Sequence, residues 1–172
     1  MEYSKTFQME FVAQAIYRME ESLRMVKKCM EQLSEDVIWK KPNAVMNSIG
    51  NLILHLCGNI TQYGIASLRK IEDKRNRDEE FEVQDGYSKA ELMEKLEYTV
   101  REATNAFREI EPEEFLRKRK VQGFEFSGIG NIVHVVEHFS YHTGQIALWT
   151  KLLNNQDLGF YDGIDLTVKN DT

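Results

Sequence analysis

Apolar residues recur at helical spacing through most of the chain. Phe11, Ala15, Met19, Leu23, Val26, Met30 and Leu33 form one stripe, and this spacing predicts a helix from about Lys5 to Leu33. The pattern breaks between Ser34 and Met46, around Trp39 and Pro42. A second helix is predicted from "NSIGNLILHLCGN" to about Ile71, with Asn47 or Ser48 able to cap its free amides. The run "EDKRNRDEE", from Glu72 to Glu80, carries no apolar spacing and is predicted to be a solvated connection.

Ser88-Lys89-Ala90-Glu91 fits a capping box, which marks the start of a third helix. Leu92, Leu96, Thr99, Ala103, Ala106 and Ile110 form its inner stripe, and Pro112 lies beyond its end. A fourth helix is predicted from near Ser127 to about Asn154. A short echo, Ile49-Gly50-Asn51 and Ile129-Gly130-Asn131, repeats at an offset of 80 residues and hints at two related helical hairpins. The expected fold is all-α: a four-helix bundle over residues 1–154, with an irregular C-terminal tail, 155–172, packed on the bundle or trailing from it.

A chain of 172 residues suits one domain with its own core. Its net charge of −6 argues against wrapping nucleic acid, which needs a basic face. There is no run of 18 apolar residues, so no membrane span is expected, and the first residues lack a signal-peptide pattern. Two cysteines, Cys29 and Cys57, are too few for a disulfide framework. A reducing, cytoplasmic location is expected, with both thiols acting as small buried hydrophobes.

Candidate chemistry concentrates in "HVVEHFSYHTGQ", which holds three of the four histidines, His134, His138 and His142. A helix turns about 100° per residue, so all three share one face. Ile132, Val135, Phe139, Ile146 and Leu148 indicate that much of this helix is buried, and buried imidazoles need partners for both nitrogens. Residues four apart can converge on one ion, whereas His134 and His142 are separated by about 12 Å along the axis. The pair is therefore either 134/138 or 138/142. His55, inside the apolar stretch "LILHLCGN", is the remaining histidine and the expected third ligand. Three neutral imidazoles leave coordination positions open, as in catalytic sites. Asn59, His134, Tyr141 and Gln145 lie near these ligands in sequence and can support them or a substrate. His134 to His138 also matches H-x-x-E-H, with Glu137 as base. Such proteases need a further ligand well downstream, and only 34 residues follow His138.

These segments resemble the DinB/YfiT-like metalloenzymes. "NSIGNLILHLCGNITQY" is similar to the family's first ligand segment and "HVVEHFSYHTGQIALWTKLL" to its last helix, where an HxxxH pair precedes Gly144-Gln145; "WKKPN" also fits. The resemblance covers the chain from the first helix to about Leu153. It implies His55, His138 and His142 as ligands of one divalent ion such as zinc, nickel or iron, an up-down-down-up helix order, and often a homodimer. It also implies, for this chain, an S-transferase acting on a small-molecule substrate with a low-molecular-weight thiol as co-substrate. A metal-dependent hydrolase, or a non-enzymatic bundle with a structural metal or a binding role, are the alternatives. Thr143 stands where many relatives carry arginine.

Overall fold

The computed structural model describes residues 2–170, with side chains from Lys5 onward. Its order is α1 (Glu2–Gln32), α2 (Ile49–Asn59), a π-helical stretch (Ile60–Ala66), α3 (Ser67–Arg69), α4 (Arg77–Glu82), α5 (Lys89–Glu109), β1 (Arg119–Val121), β2 (Phe124–Phe126) and α6 (Gly128–Asn154), with short 3-10 turns at Glu35–Val37 and Pro112–Phe115. The helix running from α2 through the π stretch to α3 is one rod. With α1, α5 and α6 it makes a helical bundle in which α5 and α6 each lie against both α1 and α2.

The predicted stripes form the core. Met19, Val26 and Met30 on α1, Leu92, Leu96 and Ala103 on α5, and Ile132, Val135, Phe139 and Ile146 on α6 are all buried. Leu148 differs from expectation: it is 61% exposed and faces a surface cleft. Three helix starts follow their local chemistry. Ser48 and Ser88 accept from the amides of Asn51 and Glu91 in full capping boxes, and Ser127 accepts from the amide of Gly130.

The π stretch and the β1–β2 hairpin have no counterpart in the hydrophobic periodicity. β1 and β2 pair antiparallel, Arg119 opposite Phe126, around a turn that places Gln122 at φ 53°. Gln122 Oε1 accepts from the Tyr63 hydroxyl at 2.7 Å, which ties the hairpin to the π stretch. The tail is irregular but anchored. Leu158 is buried, Arg24 Nη1 donates to Phe160 O at 3.0 Å, and Lys28 Nζ donates to Gly159 O.

The segment from Glu72 to Glu80 corrects the sequence expectation. It is only partly solvated: the Arg75 side chain is 3% exposed and that of Glu80 8% exposed. A run of charges carries no apolar period, so the two residues that turn inward look like their solvated neighbours. Asn51 of α2 fixes this segment, its Nδ2 donating to Glu80 O at 3.0 Å and Val83 O at 2.7 Å.

Candidate metal centre

His55 comes from the middle of α2, and His138 and His142 from adjacent turns of α6. One ring nitrogen from each lies within 4.8 Å of the other two. His55 Nε2 and His138 Nε2 are 3.2 Å apart. Two nitrogens held at about 2.0–2.1 Å by one tetrahedral ion stand roughly 3.3 Å apart, so this pair already has the separation of shared ligands.

The outer nitrogens are held differently. His55 Nδ1 lies 2.9 Å from Glu80 Oε2 and 3.1 Å from Arg75 Nη2. Both nitrogens cannot donate to each other. Arg75 Nη2 has its closer partner in Glu80 Oε2, at 2.8 Å, so Nδ1–H donates to the carboxylate and Nε2 carries the free lone pair. His142 Nδ1 lies 2.7 Å from Gln145 Oε1, which likewise directs its Nε2 outward. His138 Nδ1 is buried without a partner. Both tautomers of His138 leave Nδ1 unsatisfied, and the Nδ1–H form also sets its Nε2 lone pair against that of His55. An ion held by the Nε2 atoms would remove that repulsion.

Electrostatics favour the neutral form of His138 and His142. Burial pushes His138 down to about 3, with His142, His55, His134 and Arg75 adding to the effect. Burial also lowers His142, against the bond to Gln145. Both imidazoles are thus neutral at pH 7 and able to ligate. Burial works to raise the Glu80 carboxyl, but the bonds from Arg75 and His55 outweigh it and hold the group below the usual carboxylate range.

The other residues singled out by sequence sort by geometry. His134 lies outside the three-nitrogen group: its Nε2 is 3.2 Å from Asn59 Nδ2 and its ring packs on Tyr63 at 4.2 Å. Asn59 is thereby a neighbour of His134. Gln145 contacts the His142 ring directly. Tyr141 is 62% exposed, with its ring 4.9 Å from that of His142. Glu137 is exposed on the outer face of α6. Thr143 is buried, and its hydroxyl has no partner.

Sequence reasoning missed Arg75 and Glu80. One signal pointed to them: Gly58 inside a helix, where glycine costs about 1 kcal/mol relative to alanine. A Cβ at Gly58 would overlap Glu80 Oε1 and stand 2.9 Å from Arg75 Nε, so the ion pair lies directly on the bare helix backbone.

Two clefts flank the centre. A cleft of about 500 Å³ lies behind the Arg75–Glu80 pair, on the Leu54 and Cys57 side of α2, and no histidine lines it. A more apolar cleft of about 330 Å³ runs along Met46, Leu52, Leu148, Trp149 and Leu152 and reaches Gln145, the residue bonded to His142.

Comparison with known proteins gives a consistent picture. The structure is similar to a DinB-like protein of Bacillus subtilis, YjoA, with a TM-score of 0.64 at 14% identity, covering 84% of this chain and 94% of that one. It is similar to a DinB-like protein of Bacillus cereus ATCC 10987, with a TM-score of 0.66 at 12% identity, covering 86% and 93%. Comparison with curated proteins yields no match. The family model described as "Protein of unknown function (DUF1572)" matches residues 6–162. The chain therefore belongs to the DUF1572 family, and its helical bundle is of the DinB-like kind.

Proposed function

We propose that the protein is a metal-dependent enzyme, an S-transferase in which His55, His138 and His142 hold one divalent ion and a low-molecular-weight thiol is the nucleophile. The observation that carries the reading is the convergence of three imidazoles, with His55 Nε2 and His138 Nε2 3.2 Å apart. An all-nitrogen donor set suits zinc, nickel or iron. A divalent ion there supplies a Lewis acid that lowers the pKa of a thiol at an open position.

The chain's own residues supply orientation. Gln145 sets the His142 ring, and the His134–Asn59 pair offers hydrogen-bonding groups one turn from His138 and His55. Neither cysteine is a candidate nucleophile. Burial pushes the Cys57 thiol up to about 12 against a bond with Thr99, and Cys29 is buried as well. The thiol comes from outside the protein. The reading includes a small-molecule substrate, a cytoplasmic setting and a homodimer. The two free, buried cysteines suit a reducing compartment.

Cobalt substitution tests this function. Adding a small thiol to the Co²⁺ protein should produce a sulfur-to-metal charge-transfer band, and Cys57→Ser should behave like wild type. A spectrum that responds to hydroxide but to no thiol would replace the transferase with a hydrolase. A spectrum that responds to neither would make the metal structural.

A further inference from the structure

We infer that Glu80, braced by Arg75, is the positioning residue of the metal centre: it fixes His55 in the one tautomer and rotation that present Nε2 to an ion. The inference rests on the metal-centre reading above and deepens it, because the three ligands do not have equivalent support.

The His55 ring is the most constrained of the three. Its Nδ1 donates to Glu80 Oε2 at 2.9 Å, and the Phe81 ring packs against it with centroids 4.8 Å apart. His142 has a neutral amide oxygen at the equivalent place, and His138 Nδ1 has no partner. Only His55 is backed by a carboxylate. A hydrogen-bonded anion at Nδ1 increases electron density on the ring and makes Nε2 the more basic donor, as in carboxylate–histidine–metal triads.

The carboxylate is itself over-determined. Arg75 donates to it twice, from Nε to Oε1 at 2.7 Å and from Nη2 to Oε2 at 2.8 Å. This fork-on-fork contact leaves the carboxylate no freedom to turn away. Arg75 Nη1 donates to Gln62 Oε1 at 2.8 Å, and Gln62 Nε2 donates to Asp73 Oδ2 at 2.5 Å. The chain of contacts thus runs from the surface to the ligand ring. Its backbone is fixed by Asn51, and its close approach to α2 requires the missing side chain of Gly58.

A surface ion pair would explain none of this. Burying both charges brings a desolvation penalty that such a pair rarely recovers in stability alone, whereas a role in ligand geometry accounts for keeping it. Arg75 makes the burial tolerable by neutralising Glu80. Glu80 is the residue that acts on His55.

Three variants test the inference: Glu80→Gln, the double variant Arg75→Met/Glu80→Gln, and His138→Ala as the ligand control. Zn²⁺ affinity is measured by competition with a chromophoric chelator, the visible spectrum is recorded with Co²⁺, and melting is followed after metal removal. Glu80→Gln should weaken Zn²⁺ binding by about 10–100-fold, the usual effect of losing an outer-sphere partner, and should shift the Co²⁺ bands. The double variant buries no unpaired charge, so it should stay folded without metal and show the same loss. Wild-type affinity and wild-type Co²⁺ bands in a folded double variant would overturn the positioning role and leave the metal centre standing. An absence of His138-dependent binding in the wild type would overturn the metal centre and this inference together.

Discussion

Burial lowers His138 to about 3 from an ordinary value of 6.5. The unfolded chain therefore takes up a proton near pH 6.5 that the folded chain refuses until about pH 3. Stability is intact above that window and falls as pH drops through it, because the unfolded state binds more protons there. His142 and His134, both lowered chiefly by burial, act in the same direction. Urea melts of metal-free protein at neutral and mildly acid pH should show this loss, and His138→Gln should reduce it. At Gly58 two effects compete. Alanine gains about 1 kcal/mol of helix propensity, but overpacking costs roughly 1–3 kcal/mol. Glu80 cannot yield cheaply, because Arg75 and His55 both hold it. Gly58→Ala is expected to be net destabilising, read as a lower urea midpoint.

Among the elements, the clearest local signals are the serine caps. Ser88→Ala removes the acceptor for the Glu91 amide and should cost about 1 kcal/mol, measured by chemical denaturation. The echo between Ile49-Gly50-Asn51 and Ile129-Gly130-Asn131 is out of register with the caps: Ser48 directly precedes Ile49, whereas Ser127 lies two residues before Ile129. Both asparagines are fully buried, and the Nδ2 of each bonds to another segment. The tail is an element by its contacts alone. Leu158 is 2% exposed, and burying a leucine is worth about 1.5–3 kcal/mol, so truncation after Asn154 should lower stability by that order. An unchanged melting temperature would show the tail to be only loosely attached.

For the whole molecule, an ion bound only by the folded state adds RT ln(1 + [L]/Kd) to stability. That is about 2.7 kcal/mol at a hundredfold excess over Kd. Zn²⁺ or Ni²⁺ should therefore raise the melting temperature of the wild type, and His138→Ala should abolish the rise. Equal responses in both proteins would speak against a centre built on His138. No helix among the described residues is long and apolar enough to cross a membrane, which agrees with the lack of a long apolar run in the sequence.

Local sequence suffices for the four long helices, their buried stripes and the start at Ser88; it narrowed the second start to Asn47 or Ser48 and placed the fourth near Ser127. These depend on periodicity and on contacts within a few residues. It also put His138 and His142 on one face, since a helix makes that geometry local. Its two candidate pairs, 134/138 and 138/142, could not be separated by spacing, because His134 and His142 lie symmetrically about His138. Tertiary packing decided which face of α6 meets α2, turning His138 and His142 toward His55 and His134 toward Asn59 and Tyr63. Packing also decided the fate of Arg75 and Glu80. A charged residue in a connection turns inward only where a partner awaits it, and their partners, His55, Gln62 and the bare backbone at Gly58, belong to α2 and the π stretch that follows it. No periodicity within a segment can register a contact whose other half lies on a different element.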